Sequence, residues 1–165
     1  MSMIAKPGIT AATEDVADTD DGDARITTDD FWPETELRAL RLAVRLPGRT
    51  TTSRLMHAAT EAVAHVTGEL RNWQTQQMND GYRTLADVPA SRVNGESVNV
   101  HRFRLAVYAA TRALILERVR DVDTTEQGDR KADALEAQTG DLWRDVRWAI
   151  ADIQGAPRIF ARLCW

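Results

Sequence analysis

Apolar residues recur every three or four positions along four stretches of the chain, and each stretch predicts a helix. Leu37, Leu40, Ala43 and Val44 form the first stripe, which Pro47-Gly48 ends. Asp29 or Asp30 is placed to cap it, with Pro33 near its first turn. Leu55, Ala59, Ala62, Val66, Leu70 and Trp73 form the second stripe. Thr51, Thr52 or Ser53 can cap this helix, which runs as one piece to about Gln77 before Asn79-Asp80-Gly81 closes it. Its opposite face reads Arg54, His57, Glu61, His65 and Asn72.

The third helix covers Val98–Val119. Val100, Phe103, Val107, Ala110 and Leu114 make one stripe, and Leu105, Tyr108, Ala109 and Leu116 widen it. A helix apolar on more than one side has more than one neighbour, so it belongs at the centre. The fourth covers about residues 130–154, with Leu135, Leu142, Val146, Ile150 and Ile153 as its stripe and Gly155-Ala156-Pro157 as its stop. No strand alternation persists and no internal repeat is visible. The fold class is therefore all-α, a small helical bundle.

Two stretches break this regularity. Residues 81–97 join the second and third helices by a connection longer than compact domains ordinarily use. Pro89 forbids a long helix through it and Asn94-Gly95 is a turn signal. Tyr82, Leu85, Val88 and Val93 are spaced as apolar pegs that would make the linker an ordered strap. The other stretch is Leu142–Arg158. Trp148 lies roughly 140° from the centre of its helix's apolar stripe, among Asp141, Arg144, Asp145 and Asp152. Either the linker or the Phe31-Trp32 pair covers it within the chain, or it is an interface residue. The apolar residues Ile159, Phe160, Leu163 and Trp165 pose the same choice: they pack back on the bundle or insert into a neighbour, with Gly155–Pro157 as the hinge of a clamp.

Charge changes the picture at the N-terminus. The chain has 165 residues and a net charge of −4. Residues 1–30 hold eight acids against Lys6 and Arg25, a net of −6, which leaves +2 for the rest. This segment has no periodicity and is expected to be a flexible acidic arm. The expected organisation is an arm over 1–30, a bundle over 31–158 and an apolar tail over 159–165. The overall balance supplies no basic surplus for non-specific nucleic-acid binding. No apolar run approaches the roughly 18 residues of a membrane span. The N-terminal residues do not resemble a secretory signal, and with Cys164 as the one cysteine no intrachain disulfide forms. Folding in a cytoplasm is the expectation.

The candidate chemistry is thin. His57, Glu61 and His65 stand at i, i+4 and i+8, the spacing of helical metal ligands, but on the face opposite the apolar stripe. No nucleophile elbow surrounds Ser91 or Ser97, nothing marks His101 as a base for Cys164, and no phosphate loop is present. No catalytic residue, cofactor or metal is expected. Arginines recur through the body, and Arg102, Arg112 and Arg144 are candidates to line a channel if subunits form a ring; ordinary helix-surface charge is the alternative.

GYRTLADVPA, NGES, ERVRDVDTTEQGDRKAD and LWRDVRWAIADIQGAPR resemble the phage head completion family often called gpL, over about Phe31 to Leu163. The resemblance implies a virion protein, assembled in the host cytoplasm, that forms a twelve-fold ring beneath the portal protein after DNA packaging. Such a ring would extend the DNA channel, pass packaged DNA without reading its sequence, and present a surface to a neck or tail-terminator protein. It implies no enzymatic activity and no membrane. A DNA-binding packaging accessory is the alternative from a different class, and a metal-dependent hydrolase on His57, Glu61 and His65 a third.

Overall fold

The computed structural model describes residues 18–119 and 126–158, and is mostly helical over them. The helices are α1 (Leu37–Ala43), α2 (Thr52–Glu69), α3 (Arg71–Asn79), α4 (Val98–Val119) and α5 (Glu126–Gln154). Two small antiparallel ribbons accompany them. In one, β1 (Arg25–Ile26) pairs with β2 (Thr35–Glu36); in the other, β3 (Arg92–Val93) pairs with β4 (Glu96–Ser97).

As its two-sided pattern predicts, α4 is central, with α2 and α5 packed against it. Phe103, Val107 and Ala110 are buried on it, facing a core that includes Leu55, Ala59 and Val66 of α2 and Val146, Ile150 and Ile153 of α5. Each large apolar side chain so buried contributes about 1.5–3 kcal/mol. Leu105 departs from this pattern and is 48% exposed.

Four local expectations are corrected. The second helical pattern is broken in two at Leu70, whose φ of −96° and ψ of 4° leave the helical region while its side chain stays buried. Gly68 weakens the preceding turn. Trp73 and Gln74 of α3 meet the Phe31-Trp32 pair. Asp29 and Asp30 do not cap α1, which begins at Leu37 after Glu36 and has no side-chain cap. Asp29 instead makes an Asx turn, accepting from the Phe31 N–H at 3.1 Å, and accepts from Gln74 Nε2 at 2.9 Å. The fourth helix starts at Glu126 rather than near residue 130. Finally, the expected arm over 1–30 does not end at 30. Residues 18–30 belong to the folded body, and residues 1–17 lie outside the described residues.

What holds residues 18–30 is a buried acid. The Asp21 side chain is 2% exposed. It accepts from Arg41 Nε at 2.5 Å and Nη2 at 2.9 Å, and from the Thr52 hydroxyl at 2.8 Å. Arg41 also donates to the Thr50 carbonyl at 2.7 Å. One carboxylate therefore joins the N-terminal segment, α1 and the start of α2. These bonds to the charged form, Arg41 foremost, hold the Asp21 carboxyl below its ordinary pKa. The Asp18 carbonyl accepts from the Thr52 N–H, one of the donors that a helix start leaves unpaired. Thr51 caps α2 as expected, accepting from the Arg54 N–H at 3.2 Å.

The linker is a strap. Gly81, at φ +99°, ends α3 with a Schellman pair: its N–H donates to Met78 O and the Tyr82 N–H to Gln77 O. Leu85 is buried and its N–H donates to the Phe31 carbonyl at 2.8 Å. Val88 is buried and Tyr82 half-buried. Val93, expected as a fourth peg, is 57% exposed. It sits in a hairpin whose two-residue turn, Asn94 at φ 52° and Gly95 at φ 74°, has the handedness of a type I′ turn. The Val98 N–H closes the strap on the Ser91 carbonyl, and the Ser97 hydroxyl accepts from Asn99 N–H at the start of α4.

Candidate interaction surface

The aromatic residues divide into two groups. Phe31, Trp32 and Trp73 are committed to the core side. Trp32 stacks on Phe103 with ring centroids 5.1 Å apart and planes 14° from parallel, and its Nε1 donates to Gln74 at 3.3 Å. Phe31 meets Trp32 edge-on at 4.8 Å and Trp73 at 6.3 Å. The Phe31-Trp32 pair is thus engaged with α3 and α4, and what covers Trp148 is different.

Trp148 is half-buried, and two guanidinium groups stand over its ring. Arg144 lies 4.7 Å from the ring centroid and Arg158 lies 5.0 Å away. One helical turn separates Arg144 from Trp148, so the first contact follows from i,i+4 spacing. Arg158 reaches the ring because the chain turns back after α5. Gly155 takes φ +68°. Its N–H donates to Asp152 O and the Ala156 N–H to Ala151 O, a second Schellman pair. Arg158 then grips the Asp152 carboxylate with two bonds, at 3.0 and 2.6 Å. That contact holds the Asp152 carboxyl below its ordinary pKa. The Gly155–Pro157 bend, expected as a hinge, is therefore tied back to the helix as far as Arg158. Arg144 is held in turn by Asp141 and Asp145, each at 3.3 Å. Its Nε is buried and meets no acceptor among the described residues.

The three channel candidates are separated by the fold. Arg144 is part of the Trp148 stack. Arg102 reaches the C-terminal end of the same helix, its Nη1 3.5 Å from the Asp152 carbonyl, where the helix dipole favours a cation. Arg112 lies elsewhere, in a groove of about 500 Å³ that it lines with Arg45, His101, Arg104, Tyr108 and Leu142. Burial there raises the Tyr108 pKa. Arg104 is paired with Glu96 at 2.6 Å. Among the interface candidates, Ile159, Phe160, Leu163 and Trp165 lie outside the described residues, as does Cys164. His57, Glu61 and His65 are exposed, and no group of three or more His, Cys, Asp or Glu among the described residues is arranged to hold a metal. No described helix is long and apolar enough to cross a membrane.

Sequence reasoning passed over Trp143 and Arg158, and placed Asp152 beside Trp148 without its partner. Trp143 Nε1 donates to Glu117 on α4 at 2.6 Å, and its ring meets His65 of α2 edge-on at 5.3 Å, so it joins three helices. The Asp152–Arg158 pair spans six residues, which no straight helix brings together. The signal for it was the Gly155 stop, since a Schellman turn folds the following residues back over the last turn.

Comparison with known proteins settles the class of this molecule. Residues 26–164 match the model of the phage head completion protein (GPL) family. The chain belongs to this family. It is also 39% identical over 128 residues to the head completion/stabilization protein of Escherichia phage P2, covering 78% of this chain and 76% of that protein. No solved structure matches. The family is that of a virion component with a head completion role, as the resemblance implied. The match begins at Ile26, so Asp21 lies outside it while its partners Arg41 and Thr52 lie within.

Proposed function

We propose that this head completion protein works as a head–tail adaptor: copies assemble as a twelve-fold ring beneath the portal protein, extend the DNA channel, and present their far side to a neck or tail-terminator protein. The observation that carries this reading is the Trp148 platform. Interface energy concentrates in aromatic and arginine anchors held in place before binding. Here two guanidiniums stand over one indole, and both guanidiniums are fixed by aspartates of the same helix. Such a unit presents a rigid, amphipathic surface with little further entropy to lose on docking. Packaged DNA would pass the ring by charge alone, with no sequence readout, and Arg112 is the best placed of the three arginines to face it. Arg102 and Arg144 are already engaged with α5 itself.

A single copy buries its own core, so the free protein is monomeric or weakly associated and closes into rings on the portal. Light scattering across a dilution series, followed by imaging with purified portal, tests this. Monomers that become rings only with portal are expected; a ring that persists at nanomolar concentration without portal would contradict the reading. A packaging accessory that binds DNA on its own would instead show steep loss of DNA affinity with salt.

A further inference from the structure

We infer that the exposed end of α3 on one copy, Met78–Gly81, docks into the groove beside Arg112 on the next copy, so that one contact repeated head to tail joins the subunits. The inference rests on the ring proposed above and adds which two surfaces meet. The groove has a volume of about 500 Å³, with apolar walls from Val44, Leu105 and Leu142 and cations from Arg45, Arg104 and Arg112. No carboxylate lines it. Glu96 pairs with Arg104 and Glu36 approaches Tyr108, which leaves the groove net positive. Arg112 Nε is buried and meets no acceptor among the described residues. Leu105 is exposed, as is Leu42, which adjoins the wall at Ala43. The groove therefore suits an apolar side chain and a carboxylate presented together.

Three observations choose the occupant. The first is chemistry. Among the described residues the exposed large apolar side chains are Leu42, Met78, Val93, Leu105 and Val119. Leu42 and Leu105 belong to the groove side, and Val93 lines a hollow that shares His101 with it. Of the two left, Val119 stands near Glu117, which is already bonded to Trp143. Met78 stands near Asp80, which is exposed. The second is order. Met78–Gly81 form the Schellman turn that ends α3, so this knob is shaped before it docks. A methionine also adapts to an irregular gap. The third is placement. Met78 Sδ lies 3.8 Å from Gln74 Nε2, Gln74 accepts from Trp32, and Trp32 stacks on Phe103. Leu105 comes two residues after Phe103, about 200° round α4. Knob and groove therefore lie on opposite sides of the central helix. Two different patches so placed make a heterologous contact, the kind that closes rings. Arg112 cannot serve both this contact and the channel, so DNA is the rival ligand in the test.

The test mixes two full-length chains in equal amounts under mild oxidation, with and without purified portal. Both carry Cys164→Ser; one adds Met78→Cys and the other Leu105→Cys. The mixed disulfide is expected to exceed either like pairing by about tenfold, because docking concentrates the two thiols. Asp80→Arg in the first chain should cut its yield by about tenfold, and Arg45→Glu in the second should restore it, with helicity unchanged in each. Mixed and like disulfides in statistical proportions, with and without portal, would overturn the inference. So would a predominant Leu105–Leu105 pairing, since the groove would then meet its own copy. A short DNA duplex that suppresses the mixed disulfide as fully as Asp80→Arg does would give the groove to DNA and overturn it as well. Rings on the portal without this disulfide would sink the inference and leave the adaptor reading standing; the disulfide without rings would do the reverse.

Discussion

Trp32 lies between α3 and α4, stacked on Phe103 with its N–H on Gln74, whereas Trp148 stands on α5 away from the apolar stripe, under Arg144 and Arg158. Both are held by specific partners, but the partners differ in kind. Trp32 touches Phe31 and Phe103, which are themselves buried, and its contacts help to close the fold. Trp148 touches cations fixed by Asp141, Asp145 and Asp152, all on the same helix, so its surroundings are complete without a core. A large aromatic kept in place by local charge costs the monomer little to expose, which is what the proposed docking role asks of it. On the proposed reading, the distinction between the two tryptophans is one of where the energy goes: into the subunit's own stability in one case, into assembly in the other.

The comparison breaks most sharply at Trp32. Trp32→Ala should lower stability by about 3–5 kcal/mol through the cavity left against Phe31 and Phe103. Urea unfolding checks this, and a loss below about 1 kcal/mol would mean that the anchor is not part of the core. Asp21→Asn comes next, at about 3 kcal/mol, because Arg41 loses its buried counter-charge. The same carboxylate sets a pH dependence. Its folded pKa lies below the unfolded value of about 3.9, so its stabilising effect is fully present above that value. It is lost as pH falls through the folded pKa, where the unfolded chain has already taken up the proton. The acid limb of a stability–pH curve should flatten in Asp21→Asn. A limb of unchanged steepness would place the acid sensitivity elsewhere. Trp143→Phe should cost about 1–2 kcal/mol by removing the donor to Glu117 and leaving a smaller ring in its place.

Much of this fold was legible because helical periodicity reports burial directly. Val98–Val119 reads as two-sided and is central, and of the α5 stripe Val146, Ile150 and Ile153 are buried while Leu135 and Leu142 stay half-buried. The breaks were less legible. Leu70 keeps its place in the apolar stripe while the backbone turns under it, so periodicity alone joins α2 to α3. Asp29 had the right residue type for a cap and was used for a turn. The Asp21 clamp was hidden by its company: one acid among eight reads as solvated charge, and only the fold brings Arg41 and Thr52 to it. At the candidate surface, Trp148 and Arg144 were legible from i,i+4 spacing. The pairing of Arg158 with Asp152 was not, because it depends on a turn that reverses the chain.

The smallest expected effect on stability belongs to Trp148, and it carries the central claim. Trp148→Ala removes two exposed cation–π contacts, about 1 kcal/mol together, and should leave helicity intact. The decisive measurement is sedimentation of purified portal with the wild-type chain and with Trp148→Ala, beside circular dichroism of each chain alone. The account predicts unchanged helicity and portal association weakened by at least about tenfold, as for an interface anchor. Equal association of the two chains, or an unfolded Trp148→Ala monomer, would contradict it.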